Sequence, residues 1–271
     1  MTLRELQLFS LEILKDVHQF CVDNQIPYSI SDGTLIGAVR HKGFIPWDDD
    51  IDVIMRRPDF NRFCRIYKSP RFNLKYKELD NDSQVSYARV YDSKQTYARP
   101  ISRWCRDEVG VCIDILPVDG LIEDKDECRK YYKRSRFYFI CNQSLRIALN
   151  PFDYNKSFRY NVILFFKKVL SLNGLTIDWL CRKIINRAKA IEYGTTKYWG
   201  NLSSMCDGIM DYHRLEIFTS TTLIDFEDTK VMVMNGFEEY LRDKYNDYMK
   251  LPPKEKRTNH LMRKEEFFYW K

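Results

Sequence analysis

The stretch Ser31-Asp32-Gly33-Thr34-Leu35-Ile36-Gly37-Ala38-Val39-Arg40-His41-Lys42-Gly43-Phe44-Ile45-Pro46-Trp47-Asp48-Asp49-Asp50-Ile51-Asp52-Val53 decides how this chain is read. It couples a glycine turn at a helix start to a cluster of four aspartates, the last two at strand spacing. Carboxylates packed this tightly repel one another, so a counter-charge is needed. A divalent metal carrying a phosphate-bearing substrate supplies it economically.

The run Asp50-Ile51-Asp52-Val53-Ile54-Met55 alternates acid and aliphatic, continues apolar, and stops at Arg56-Arg57-Pro58. That pattern predicts a short, mostly buried strand between breakers. Side chains alternate across a strand, so Asp50 and Asp52 share one face while Ile51 and Val53 enter the core. Their Cα atoms then lie roughly 6.5 Å apart, within reach of one or two hard cations. Asp48 joins that face if extended geometry begins early, and Asp49 then points away. A solvated acidic loop is the plain alternative. The interleaved aliphatic residues argue against it, because buried unpaired carboxylates are costly.

Upstream, Ile26-Pro27-Tyr28-Ser29-Ile30 reads as a strand, Asp32-Gly33-Thr34 as a tight turn, and Leu35 to Arg40 as a short helix. Such a helix start offers backbone N–H groups and a favourable dipole to phosphate, with Thr34 able to cap it. Gly33 lets the backbone approach a ligand without an intervening Cβ.

The segment from Gly33 to Asp52 resembles the signature of the LicD family of phosphotransferases, which includes fukutin and fukutin-related protein and belongs to the nucleotidyltransferase fold superfamily. The resemblance implies an enzyme that moves a phospho-alcohol group, often phosphocholine, from a CDP-linked donor to a sugar hydroxyl. The superfamily pattern also calls for a further acid on a neighbouring strand. Val109-Gly110-Val111-Cys112-Ile113-Asp114-Ile115-Leu116-Pro117 supplies the best candidate, with Asp114 the lone charge in an apolar strand. Its implied role is metal ligand or general base; the alternative is an edge carboxylate paired with an arginine. Val85-Ser86-Tyr87-Ala88-Arg89-Val90-Tyr91-Asp92 and the following Thr96 resemble another family stretch. Arg89 there either binds a diphosphate oxygen through its planar fork or pairs with Asp92 at the surface. Arg40, His41 and Lys42 either neutralise phosphate or form a solvated basic loop. Phe226-Glu227 through Leu251-Pro252-Pro253, Lys256-Arg257 and His260 is similar to the family's closing motif, with Tyr245-Asn246-Asp247 where relatives usually carry Tyr-Gly-Asp. Arg257 and His260 either return to contact donor phosphate or anchor the tail.

Four regions are expected: an N-terminal helix over 1–24, a nucleotidyltransferase-like catalytic core over 25–122, a mostly helical acceptor or lid region over 123–225, and a closing strand, helix and tail over 226–271. The fold class is α/β (α+β), a mixed sheet flanked by helices with a helical insertion. Leu6, Phe9, Ile13, Val17 and Phe20 recur at helical spacing, giving an amphipathic opening helix. Val162, Phe165, Phe166, Val169 and Leu170 form another helical stripe beside Lys167 and Lys168, read either as an interfacial membrane helix or, by preference, as core packing. The eight cysteines contain no Cys-x-x-Cys pair, which speaks against a zinc site or disulfide framework and suits a reducing cytosol. His18 reads as structural and His213 receives no role. The net charge of +6 fits acidic substrates or an anionic membrane surface and is too diffuse for nucleic acid. No leader or spanning segment is read, so the expected location is the cytoplasm, with peripheral contact at the inner membrane face as the alternative.

The expected protein is a phosphotransferase dependent on Mg²⁺ or Mn²⁺, with a CDP-alcohol donor and a glycan or lipid-linked glycan acceptor. Asp50, Asp52 and Asp114 are the catalytic candidates, and Asp48 joins them as a metal ligand. Gly33, Thr34, Arg40, Lys42, Arg89, Arg257 and His260 are the donor-binding candidates. The rival readings are a nucleotidyltransferase that joins a nucleoside monophosphate from an NTP to an alcohol, and a non-catalytic glycan-binding scaffold.

Overall fold

A computed structural model describes residues 1–80, 82–98, 109–146, 162, 165, 166, 169, 174–204, 208–257 and 268–271. Helix α1 (Leu3–Asp23) opens with a capping box: the Glu5 N–H donates to Thr2 Oγ1 and the Thr2 N–H donates to the Glu5 carboxylate. Its apolar stripe (Leu6, Ile13, Leu14, Val17, Cys21) is buried in the main core and packs on the sheet.

The sheet is mixed. Strands β1 (Ser29–Ile30), β2 (Asp52–Arg56), β3 (Asn73–Lys75), β4 (Ala88–Tyr91) and β6 (Cys112–Gly120) lie in the order β1-β2-β6-β4-β3, while β5 (Thr96–Ala98) stands apart. Among the described strands only β2 and β6 run parallel, in a register that sets Asp52 beside Asp114; β4 runs antiparallel to β6 and sets Arg89 opposite Asp114. This architecture bears out the expected α/β class. The strand expected over 26–30 shrinks to Ser29–Ile30, consistent with Pro27 having no N–H to give a ladder. The strand expected from Asp50 begins at Asp52.

Helix α2 (Asp32–His41) starts earlier than predicted, because the turn Asp32-Gly33-Thr34 is its first turn. Thr34 does not cap it. Its Oγ1 accepts the Asp52 N–H (3.0 Å) and so ties the helix start to the first residue of β2. Helix α3 (Arg57–Ile66) follows β2 directly, with Pro58 in the first turn where its missing N–H does no harm.

Helices α4 (Lys125–Arg146) and α5 (Gly174–Ala188) pack together through two small apolar clusters, one around Cys128, Tyr132 and Ile184, the other around Leu145, Ile177 and Leu180. Within the stretch expected to be mostly helical, β7 (Tyr198–Gly200) extends β6 antiparallel and β8 (His213–Arg214) pairs with β7. The hairpin β9 (Thr221–Phe226) and β10 (Thr229–Met234) leads into α6 (Phe237–Tyr245), and β11 (Phe268–Trp270) pairs with β5.

Core packing, the preferred reading of the 162–170 stripe, does not hold. Phe165, Phe166 and Val169 are helical yet 48%, 60% and 47% exposed. Leu170, like Lys167 and Lys168, lies outside the described residues. Among the described residues no helix is long and apolar enough to cross a membrane.

Candidate active site

The parallel pair β2 and β6 delivers Asp52 and Asp114 side by side at one end of the sheet. The loop entering β2 adds Asp48 and Asp50, and the N-terminus of α2 adds Asp32 and Gly33. Together with Tyr87, Leu116, Asn201, Ser204, Asp211 and Tyr245 they line one cleft of about 340 Å³.

Several contacts hold the aspartate loop in place. From α1, Gln7 Nε2 donates to the carbonyls of Asp48 (2.8 Å) and Ile45 (3.3 Å). At the hairpin turn, Glu227 accepts the Phe44 N–H (3.1 Å), pairs with Arg4 (2.6 Å), and gives its own N–H to the Lys42 carbonyl (2.7 Å). The helix and the loop approach so closely that a Cβ at position 33 would stand 2.7 Å from Asp48 Oδ2. A methyl there would push the Asp48 carboxylate aside.

Two of the acids, Asp48 and Asp52, sit where burial and like charges oppose ionisation. Asp48 Oδ2 is buried with no hydrogen-bond partner among the described residues. Burial, then Asp50 and Asp49, push the Asp48 carboxyl up to about 8. Burial and the surrounding Asp50, Asp32, Asp114 and Asp48 likewise hold Asp52 well above the ordinary carboxylate value. Oxygen atoms of Asp48, Asp49 and Asp50 come within 4.8 Å of one another. Asp49, expected to point away, is buried and does not line the cleft, yet it belongs to that trio. The donor set is entirely carboxylate oxygen, which suits a hard divalent cation.

Asp114 also engages a base: Arg89 Nε donates to its Oδ1 (3.0 Å), and Arg89 Nη2 donates to the Tyr87 hydroxyl (3.1 Å). The alternative partner proposed for Arg89, Asp92, is engaged elsewhere. Its carboxylate accepts the N–H groups of Lys94, Gln95 and Thr96 and the Thr96 hydroxyl, closing the β4–β5 turn.

Opposite the metal-competent acids lies a network the sequence did not disclose. Lys244 of α6, almost fully buried, pairs with Asp32 and, at 2.8 Å, with Asp211. The Tyr245 and Tyr240 hydroxyls also donate to Asp32 (2.7 and 3.2 Å). Burial opposes the charge on Asp211, but Lys244 and His213 outweigh it and hold its carboxyl below the ordinary range. Asp32 adopts φ 50°, a left-handed backbone that aspartate tolerates better than most residues. Asn201 braces the adjacent wall by donating to Ser204 Oγ (2.8 Å) and accepting the Ser203 and Ser204 N–H groups. Asp32 and Tyr245 fall in stretches quoted above, but Lys244, Asp211 and Asn201 come from separate segments with no local pattern to mark them.

Among the expected donor-binding residues, Gly33 lines the cleft, Thr34 staples helix to strand, and Arg89 sits beside Asp114. Arg40 and Lys42 lie at the far end of α2, roughly 10 Å along its axis from Gly33. Arg40 donates to the carbonyls of Tyr248 (2.8 Å) and Lys250 (3.4 Å), and Arg257 donates to the Pro252 carbonyl (2.8 Å) and lies over the Trp47 ring. Neither lines the cleft. His260 lies outside the described residues. His18 accepts from or donates to the Tyr28 hydroxyl (2.8 Å), a contact within the fold.

A helix N-terminus packed against an Asp-bearing parallel strand, with another acid on the next strand, is the arrangement expected from the sequence resemblance. The comparisons agree. The family model for "LicD/FKTN/FKRP, nucleotidyltransferase domain" matches residues 25–146. The chain is 32% identical over 269 residues to the lipopolysaccharide cholinephosphotransferase LicD of Haemophilus influenzae, covering 96% of each chain. Two uncharacterized proteins are similar over shorter spans: RP689 of Rickettsia prowazekii (40% over 82 residues, 30% of this chain and 27% of that one) and RT0683 of Rickettsia typhi (38% over 71 residues, 25% and 23%). The chain belongs to the LicD family.

Proposed function

We propose that this protein transfers a phospho-alcohol group, most economically phosphocholine, from a CDP-linked donor to a hydroxyl of a cell-surface glycan such as lipopolysaccharide, teichoic acid or capsule. The observation that carries the reading is the convergence of Asp48, Asp50, Asp52 and Asp114 on one cleft beside the α2 N-terminus. The full-length similarity to a relative named for cholinephosphate transfer to lipopolysaccharide supports it.

In this reading the acceptor hydroxyl oxygen attacks the phosphorus that bears the alcohol, the bond to the bridging oxygen of the diphosphate breaks, and CMP leaves with that oxygen. The start of α2, with no side chain capping it, faces donor phosphate with its dipole. Asp114 takes the proton of the attacking hydroxyl, and Arg89 on its Oδ1 fixes the carboxylate. Asp48, Asp50 and Asp52 would hold Mg²⁺ or Mn²⁺. Such an ion, when bound, neutralises charge on the diphosphate and on the departing CMP. Buried Asp48 Oδ2, without a partner among the described residues, fits that role.

Isothermal calorimetry with CDP-choline and CTP, each with and without Mg²⁺, tests the reading. Metal-dependent binding of CDP-choline well above CTP, lost in Asp52→Asn with the fold intact, is expected. Tighter CTP binding would turn the assignment to nucleotidyl transfer, and full activity in Asp52→Asn would remove the metal-site assignment.

A further inference from the structure

The charge of this chain is unevenly distributed. Residues 129–189 hold fourteen basic and two acidic residues, whereas the rest of the chain has more acids than bases. The same span carries an unusual set of exposed apolar side chains. Phe137 and Ile140 on α4 and Trp179 on α5 are 64%, 52% and 51% exposed, and the exposed Phe165, Phe166 and Val169 lie in the segment between the two helices.

On α4 the pattern is amphipathic in an inverted sense. Cys128, Tyr132, Ser135, Asn142 and Leu145 are buried, and on the opposite side Lys133, Phe137 and Ile140 follow one another at helical spacing. Lys130 and Arg136, also exposed, flank that stripe. The aromatic surface continues across to α5. The Phe137 ring meets Tyr138 edge-on (5.9 Å), Tyr138 meets Trp179 edge-on (6.0 Å), and Lys183 Nζ lies 5.5 Å from the Trp179 ring centroid.

A face of this kind is costly to leave in water and poorly suited to a protein core. Aromatic rings beside long basic side chains are the arrangement that enters a headgroup layer, with the rings and methylene stems among acyl chains and the cations on lipid phosphates. The geometry points to a docking surface on α4 and α5 for an anionic lipid bilayer. The chain rests on the membrane through this face without spanning it. Exposed Ile140 and Val169 favour lipid over nucleic acid, because aliphatic side chains neither pair with phosphate nor offer a ring for bases to stack on. The inference goes beyond the transferase reading, since docking is read without donor or acceptor.

Flotation of the purified full chain with vesicles tests it. One set is phosphatidylcholine alone, the other phosphatidylcholine with phosphatidylglycerol. Binding to the second set, weak on the first and falling with salt, is expected. The double variant Phe137→Ser/Trp179→Ser removes exposed groups only and should lower partitioning about tenfold or more. The charge reversal Lys133→Glu/Arg136→Glu should do the same on anionic vesicles. Circular dichroism matching the parent checks that both variants fold. Absence of binding at low salt, binding indifferent to both variants, or preference for single-stranded nucleic acid over vesicles would each overturn the proposal.

Discussion

Replacing Lys244 by Met removes the cation from the buried network while keeping a side chain of similar length. In the parent its Nζ pairs with Asp211 at 2.8 Å, and the lysine and Asp211 side chains are only 2% and 5% exposed. Asp32, at 19%, retains the Tyr245 and Tyr240 hydroxyls after the change, so the loss concentrates on Asp211. Asp211 is left with His213 at 3.6 Å as its remaining basic neighbour among the described contacts. Breaking a buried pair from one side leaves an uncompensated charge and costs about 3–5 kcal/mol. Urea unfolding at neutral pH should therefore show a midpoint lowered by roughly 1–2 M, taking a slope near 3 kcal/mol/M. A second change, Asp211→Asn, should restore part of that loss, because the stranded charge is then absent. The pH dependence has a definite sign. Asp211 is depressed in the parent, so its contribution is present above its unfolded value near 4 and is lost as pH falls through the folded one. The gap between parent and Lys244→Met should narrow in acid. A variant within 1 kcal/mol of the parent, or a double variant no better than the single, would refute the argument.

Gly33→Ala places a methyl 2.7 Å from Asp48 Oδ2, so metal-dependent donor binding should fall at least tenfold with little change in melting temperature; calorimetry and a thermal scan read the two effects. Arg57→Met strands Asp119, now held by two bonds of 2.6 Å in a pair that is 7% and 1% exposed; denaturant unfolding should register a loss of about 3–5 kcal/mol. His18 is held below the ordinary histidine value by burial, so protonating it opposes folding: its contribution is present above about pH 6.5 and declines as pH falls toward the folded value. His18→Gln should flatten the stability profile below about pH 6.5, and an unchanged slope would place that dependence on another group.

The legible part of this protein is the part written locally. Acid and aliphatic residues alternating at Asp50 to Val53 carry a period of two, and a lone acid in the apolar run around Asp114 stands out in the same way. Those patterns identified both strands and the acids they carry. Side-chain direction was less legible. Arg40 and Lys42 adjoin the aspartates in sequence, yet a ten-residue helix carries them away from the cleft before the loop returns. Boundaries shifted where a hydrogen bond decided them, as when the Thr34 hydroxyl went to the Asp52 N–H instead of capping its own helix.

The sequence by itself determined the α/β class, the strand that presents Asp52, and the crowding of carboxylates that calls for a counter-charge. Periodicity and local repulsion act over a few residues and can be read one segment at a time. Only the tertiary structure decided that Asp52 and Asp114 sit in register, that Lys244 lies buried between Asp32 and Asp211, and that Phe137 and Trp179 share an exposed aromatic face. Each of those depends on chain segments that meet only when the core closes. A single lysine, aspartate or phenylalanine in such a segment carries no periodic mark, so its partner is fixed by packing alone.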